Sequence, residues 1–271
     1  MITLQINSIQ FCTNGTFLDS IVDILCNTNS IFNVSAKRDI RDIYTKMHRD
    51  LNKHQYVIYP LPGYVVNNRL NPTLLEDPTT HKYYAGHDLP VWLNDPKKAE
   101  HRILIISQDP RRNKNEMLDK NTGNKMEIGI STPFGLHSEK WRSAKSRGLI
   151  HWVAEELIKE YKETVSIYYT DVYKFRGADD KQLGLNSDID ERNYKPFYED
   201  IIKREIELFD PTVILLMGGK AKEAYYKVFQ KTDKVIETDH PSSQNRRWNA
   251  KSDDKINYIF NLLKNKIGGL V

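Results

Sequence analysis

The sequence contains too few cysteines for a structure that depends on thiolate chemistry. Only Cys12 and Cys26 occur in 271 residues, which excludes a disulfide framework, a four-cysteine zinc site and a four-cysteine iron–sulfur cluster. Long hydrophobic runs are also missing. No apolar stretch reaches the roughly 20 residues needed to span a bilayer, and no basic segment followed by an apolar one opens the chain. We therefore expect a reduced cytoplasmic protein, or one of the nucleoid or a nucleus, without membrane contact.

A strong charge of one sign is absent as well. The chain has 40 Lys and Arg against 36 Asp and Glu, a formal net charge of +4. This surplus is too small to establish nucleic-acid binding and has the wrong sign for an acidic tail. No internal repeat or low-complexity tract is present, which disfavours solenoids and propellers. With 39% hydrophobic residues, the chain can bury a core of ordinary size.

The first 99 residues differ in pattern from the rest. Apolar side chains recur at helical spacing within residues 1–59, most clearly at Ile40, Ile43 and Met47, and predict a helical layer. Residues 60–99 hold six of the eleven prolines. Because proline fixes φ and removes a backbone donor, we expect no long helix or central strand there, only an irregular arm or linker. Residues 1–99 are predicted to be an N-terminal extension packed on the core.

Short apolar runs alternate with helical patterns over residues 100–271. The predicted strands are 102–107, 165–170, 212–217 and 234–238. This alternation predicts a three-layer α/β/α sandwich around a mostly parallel four-stranded sheet. Ligands of such open sheets bind at the carboxyl ends of the strands, so the segments that follow the strands are the candidate site.

Polar residues follow these strands. Gln108 and Asp109 follow the first strand, Asp171 the second and His240 the fourth, and Phe134 lies between the first two strands. Each residue also has a structural explanation when it is taken alone. Asp109 could cap a turn about as readily as take part in catalysis. His240 could make a structural hydrogen bond, and Phe134 could be a core residue. Their combination at the predicted ligand edge favours a functional site.

These segments together resemble the uracil-DNA glycosylase superfamily, over residues 100–268. The segment Ser107-Gln108-Asp109-Pro110 is similar to the family's Gly-Gln-Asp-Pro motif, and His240-Pro241-Ser242 matches its His-Pro-Ser loop. Pro133-Phe134-Gly135 stands where the base-stacking phenylalanine belongs, and Thr170-Asp171-Val172 resembles the segment in which several branches carry a base-reading asparagine.

The resemblance implies a divergent DNA glycosylase of the base-excision repair type. Such an enzyme hydrolyses the N-glycosidic bond of a flipped-out base, here uracil or a related damaged or modified base, without a metal or other cofactor. Asp109 would stabilise the cationic sugar and position the attacking water, and His240 would donate to the leaving base. Gln108, Phe134 and Asp171 would bind the base.

Three positions depart from the family pattern. Asp171 stands where asparagine often reads uracil. An ionised carboxylate only accepts hydrogen bonds, so it suits the amine of cytosine but repels O4 of uracil, whereas a protonated Asp171 also serves uracil or hypoxanthine. Arg111 replaces the aromatic residue that blocks 5-methyl bases, and Gln244 stands where the wedge leucine follows the His-Pro-Ser loop. The cysteine count excludes the iron–sulfur branch.

Basic and aromatic residues near these loops favour DNA, single- or double-stranded, as the partner. A solvated surface explains any one cluster, but clusters beside three loops favour a shared basic face. The predicted DNA-binding residues are Arg111, Arg112, Ser242, Gln244, Arg246, Arg247 and Trp248. The last three are also alternative wedge residues.

Two other functions remain open. The first is a catalytically altered glycosylase fold that binds DNA or a protein partner, which the departures at Asp171, Arg111 and Gln244 favour. The second is a nucleotide or nucleoside enzyme that uses the same edge. A P-loop is disfavoured because Ile214 and Ala221 stand where glycine and Ser or Thr are required. No Gly-x-Ser-x-Gly elbow and no zinc-ligand spacing occur either.

Overall fold

The computed structural model describes residues 11, 15–27, 30–53, 64–67, 83–107, 127–136, 148–172, 174–178, 188–240 and 252–269. The strands are β1 (Tyr64–Asn67), β2 (Tyr83–Asp88), β3 (Val91–Leu93), β4 (His101–Ser107), β5 (Glu127–Ser131), β6 (Val165–Asp171), β7 (Phe175–Ala178), β8 (Val213–Met217) and β9 (Val235–Thr238). The helices are α1 (Gly15–Leu25), α2 (Lys37–Asn52), α3 (Gly148–Tyr161), α4 (Asp188–Phe209), α5 (Gly219–Val228) and α6 (Ser252–Gly268).

A five-stranded sheet in the order β3-β6-β4-β8-β9 forms the centre of the fold. The last four strands of this order are parallel, and β3 adds an antiparallel edge beside β6. Every residue of β6 and β8 is buried, as expected for parallel strands covered on both faces. The α/β class and the four predicted strands are confirmed, with each boundary correct to within one residue. The predicted strand number is corrected to five, because β3 was not expected.

A second sheet, of order β1-β5-β2-β7, is mixed. The expectation that residues 60–99 contain no central strand is wrong, because β2 pairs with both β5 and β7. The two prolines of this stretch that the structure describes fall in connections: Pro90 separates β2 from β3, and Pro96 follows β3. Proline removes a ladder donor only where it stands within a strand, so its abundance did not prevent a sheet.

The two sheets meet at a place that we call the sheet junction, formed by residues 88–90, 171–172 and 174–175. The chain leaves the second sheet at β2 and enters the first at β3, and it passes the other way from β6 to β7. Val91 pairs with Tyr169 in one sheet and His87 with Phe175 in the other. Two antiparallel segments therefore run side by side from one sheet into the other.

Helices lie on both sides of the five-stranded sheet. Helix α3 packs against α6, while α1 packs against α2 and α4. Phe17 of α1 lies edge-on to Trp92 and Tyr168, with ring centroids 5.0 and 6.2 Å away. The predicted N-terminal helical layer is thus confirmed and shares one hydrophobic core with the sheet. In the part of the chain that the structure describes, no helix is long and apolar enough to cross a bilayer.

Candidate active site

The carboxyl ends of the parallel strands bring the described candidate residues to one edge of the sheet. Asp171 ends β6 and pairs in register with Ser107, the last residue of β4, while His240 follows β9. Parallel strands are about 4.8 Å apart, so the three spacings from β6 to β9 separate their backbones by about 14 Å. Asp171 and His240 therefore lie on opposite sides of the ends of β4 and β8.

Only three of the predicted site residues, Phe134, Asp171 and His240, lie within the described residues. The remaining candidates fall outside these ranges. They are Gln108, Asp109, Arg111, Arg112, Ser242, Gln244, Arg246, Arg247 and Trp248. Gln108 and Asp109 are the next two residues of the chain after Ser107, the last residue of β4.

Asp171 is almost completely buried, with 1% of its surface exposed. Its Oδ1 accepts a hydrogen bond from the hydroxyl of Ser107, and its Oδ2 has no hydrogen-bond donor among the described residues. Burial raises the pKa of Asp171 well above its ordinary value, and the neighbouring Asp88 raises it further. The hydrogen bond from Ser107 and the charge of Lys174 oppose this increase without cancelling it.

Asp88 is a site residue that sequence reasoning missed. It ends β2, is 2% exposed, and its backbone N–H donates to the Lys174 carbonyl over 3.3 Å. His87 Nδ1–H donates to the same carbonyl, and burial lowers the pKa of His87 to about 4. His87 is therefore neutral at pH 7. No local motif marks Asp88, because its place beside Asp171 depends on the pairing of β2 with β7.

A buried ion pair anchors the connection that follows Asp171. Lys174 Nζ lies 2.6 Å from Glu205 Oε2 of α4, and their side chains are 0% and 1% exposed. The Thr170 hydroxyl donates to the same carboxylate oxygen over 2.8 Å, and Lys174 also donates to Thr170. Helix α4 thereby binds the side chains of Thr170 and Lys174, while His87 and Asp88 of β2 bind the Lys174 carbonyl.

Phe134 lies in a strained turn beside β6. Its φ of 56° and ψ of 8° are left-handed, a region that costs a residue with a side chain roughly 1–2 kcal/mol. The turn is closed by a 3.0 Å hydrogen bond from Gly135 N to Thr132 O. The half-buried ring stands edge-on to Tyr169, with centroids 6.3 Å apart. Backbone strain of this kind concentrates at functional sites, and the turn follows β5, which pairs with β2 next to Asp88.

His240 packs against a glycine at the end of β8. Gly218 has a φ of +95°, and a Cβ at this position would lie 2.8 Å from the Cβ of His240. The Gly218 N–H also donates to Thr238 O over 2.9 Å. The Gly218-Gly219 pair leads into α5. Glycine is required at residue 218 because it allows the His240 backbone to cross closely over the strand end.

Fold and site define the class of protein: a parallel α/β sandwich whose polar residues gather at the carboxyl edge, where open sheets of this kind bind their ligands. The chain belongs to the Uracil DNA glycosylase superfamily, whose model matches residues 96–264, more than half of the sequence. This confirms the resemblance noted above. Members of the family act on DNA and generally hydrolyse N-glycosyl bonds. A search of curated proteins finds no match.

Proposed function

We propose that the protein is a DNA glycosylase that removes a flipped-out base, uracil or a related damaged or modified base. The observation that carries the proposal is that Asp171 and His240 lie at the carboxyl ends of strands of one sheet, with Phe134 against Tyr169 of β6, in a chain of this family. Phe134 would stack on the base, Asp171 and Gln108 would contact its edge, and His240 would lie across the sheet edge toward the sugar and the leaving base.

The chemistry needs no bond from the protein to the substrate. The bond between the base nitrogen and C1′ breaks with its electron pair leaving on the base, and water supplies a hydroxyl group to C1′ and a proton to the products. Asp109 would stabilise the positive charge that develops on the sugar, and a donor at His240 would stabilise the base anion. A single such interaction typically contributes roughly 3 kcal/mol, or 10²–10³ in rate.

DNA is the proposed partner, held through phosphates by basic residues of the loops around the edge. Arg111, Arg112, Arg246 and Arg247 are the strongest candidates, with Ser242, Gln244 and Trp248 beside them. A second candidate function is a glycosylase fold that binds DNA without cutting it. The buried carboxyl of Asp171 favours this alternative, since it replaces the amide that reads uracil in several branches.

An oligonucleotide panel tests the proposal. Single- and double-stranded DNA with uracil, hypoxanthine, 5-methylcytosine or cytosine at one position is incubated with the protein, and abasic sites are detected by alkaline cleavage. We expect cleavage of at least one base. Asp109→Asn should lower the rate at least about 100-fold, and Phe134→Leu about 5- to 100-fold through lost stacking. Asp233→Asn, an exposed carboxylate in the turn before β9, is the control and should leave the rate unchanged.

The outcomes separate the two functions. Salt-dependent DNA binding without cleavage of any base would favour the binding module. Cleavage that survives Asp109→Asn would refute the assigned role of that residue, and DNA affinity independent of salt would refute a phosphate-binding face.

A further inference from the structure

We propose that Glu205 of α4 is a positioning residue for base binding, which fixes the direction of the Asp171 side chain through Thr170 and Lys174. The inference rests on the proposed function, in which Asp171 contacts the edge of the base. Glu205 is 1% exposed, and its hydrogen bonds with described residues come from Thr170 and Lys174. It therefore acts through these two neighbours and not on the base itself.

The backbone ladder holds the last two residues of β6 on one side. Strand β3 pairs with β6 at residues 167–169, whereas Thr170 and Asp171 pair with β4 alone among the described strands. Successive side chains of a strand point to opposite faces, so the face that Thr170 takes decides the face that Asp171 takes. A contact that holds Thr170 on one face thus also directs Asp171 on the other.

Glu205 supplies this contact on the side of α4. Its Oε2 accepts a hydrogen bond from the Thr170 hydroxyl over 2.8 Å and one from Lys174 Nζ over 2.6 Å. Lys174 also donates to the Thr170 hydroxyl. The three hydrogen bonds form a closed triangle whose two other members come before and after Asp171 in the chain. A movement of either one breaks a buried, charge-assisted hydrogen bond, which is roughly twice as strong as a neutral one.

The sheet junction fixes the backbone around the same place. His87 Nδ1–H donates to the carbonyl oxygen of Lys174. The Val172 N–H donates to Ser107 O over 3.0 Å, and the Ser107 hydroxyl donates to Oδ1 of Asp171. Strands β2 and β4 therefore hold the backbone and one carboxylate oxygen, while α4 holds the side chains on both sides of Asp171.

A buried ion pair at this place is better explained by position than by stability. The cost of removing two charges from water often equals or exceeds their attraction, and apolar residues of similar volume are frequently as stable. The Lys174 and Glu205 side chains are 0% and 1% exposed, so this cost applies here. Apolar side chains cannot supply an acceptor for the Thr170 hydroxyl. The charged pair is therefore expected to serve the geometry of Asp171.

The double variant Lys174→Met with Glu205→Leu separates position from stability. Removing both charges leaves neither partner unpaired, so the fold should persist, but every hydrogen bond to Glu205 is lost. On the base that the unmodified protein cleaves best, we expect kcat to fall about 10- to 100-fold, because a displacement of about 1 Å can cost 10² in rate. KM for the same DNA should stay within about threefold, since phosphate contacts dominate the affinity.

Thr170→Val removes one hydroxyl group from the same triangle, and its kcat should fall in the same direction. Thr164→Val is the matched control at the other end of β6. The exposed Thr164 hydroxyl donates to Tyr161 O over 2.6 Å, far from the carboxyl edge, so this variant should keep both constants of the unmodified protein.

Amide hydrogen exchange of the full-length protein, measured by NMR, gives a result that does not depend on cleavage. The Val172 N–H, which donates to Ser107 O, should exchange at least about tenfold faster in the double variant and in Thr170→Val, because local opening of the strand end becomes easier. Ile167, in the middle of β6, should keep its exchange rate in both variants.

An unchanged kcat in the double variant, or unchanged exchange at Val172, would overturn the positioning role. A loss carried by KM alone, or shared by Thr164→Val, would overturn it as well. If exchange at Val172 increases but the unmodified protein cleaves no base, the proposed function fails while the hold of Glu205 on the end of β6 stands. Circular dichroism checks folding, and if the double variant does not fold, Thr170→Val decides by the same criteria.

Discussion

Removing the positive charge of Lys174 is expected to destabilise the protein severely. Lys174→Met keeps the length of the side chain but leaves Glu205 as a carboxylate buried without its cation; among the described residues the 2.8 Å hydrogen bond from Thr170 to this carboxylate remains. Loss of one partner of a buried ion pair typically costs about 3–5 kcal/mol. The unpaired carboxylate of the variant can instead take up a proton. For a carboxyl group of ordinary acidity, protonation at pH 7 costs about 3.7 kcal/mol. We therefore expect a loss of about 3–4 kcal/mol in the free energy of unfolding.

Urea denaturation at two pH values provides the assay. If the variant takes up a proton to relieve the buried charge, its penalty should be about 2–3 kcal/mol smaller at pH 5 than at pH 7, at about 1.36 kcal/mol per pH unit. Lys159→Met is the matched control. Lys159 also lies 2.6 Å from a carboxylate oxygen, of Glu156, but the two side chains are 57% and 44% exposed. Its removal should cost only about 0–1 kcal/mol.

The double variant Lys174→Met with Glu205→Leu completes the test. Removing both charges leaves no stranded ion, so most of the lost stability should return. A Lys174→Met penalty below about 1 kcal/mol, similar to that of Lys159→Met, would refute the buried pair as an anchor. A penalty that does not change between pH 5 and pH 7 would refute the electrostatic explanation of it.

Two further predictions concern the neighbours of the site. Gly218→Ala should destabilise the protein by about 1–2 kcal/mol through its left-handed backbone and slow base cleavage at least tenfold by displacing His240. Gly219→Ala, with no atom within 4 Å of the new Cβ, is the control and should be neutral or stabilising by up to about 1 kcal/mol. The pKa of His87 is lowered from 6.5 to about 4 in the folded protein. As pH falls from 6.5 to 4, the histidine is therefore protonated in the unfolded state before it is protonated in the folded state, and the free energy of unfolding should fall by about 3 kcal/mol. The His87→Asn side chain keeps a hydrogen-bond donor but does not titrate. Urea denaturation from pH 7 to pH 4 should therefore show a smaller decrease in the free energy of unfolding for this variant than for the unmodified protein.

Equal stabilities and rates for Gly218→Ala and Gly219→Ala would show that residue 218 does not hold His240 in place. If the free energy of unfolding of His87→Asn decreases at low pH as much as that of the unmodified protein, other groups cause the decrease and a buried neutral His87 is refuted.

The sequence predicted the parallel sheet well because its signals are local. Four apolar runs of five or six residues, each bounded by turn residues, correspond to β4, β6, β8 and β9. The positions of Asp171 and His240 at strand ends followed directly. The family assignment, which rested on the same segments, is confirmed over residues 96–264.

The missed features depend on long-range pairing. β2 carries Tyr83, Tyr84, a glycine and two polar residues, so nothing in its composition indicates a central strand. It forms because β5 and β7 flank it, and Asp88 reaches Asp171 only through that pairing. Lys174, just after β6, and Glu205 of α4 likewise come together across 31 residues. The predicted boundary between residues 99 and 100 remains a prediction.

The antiparallel edge strand β3 also protects the chain against self-association. Without it, β6 would become the outer strand of the five-stranded sheet, because β3 is its neighbour on that side. All seven residues of β6 are buried. Without β3, the backbone groups of β6 along this edge would lose their hydrogen-bond partners in β3. An apolar strand with free N–H and C=O groups is a template for pairing with another molecule. Three residues, Val91–Leu93, thus cover the middle of this edge, opposite Ile167–Tyr169, where a fully buried strand would otherwise invite aggregation.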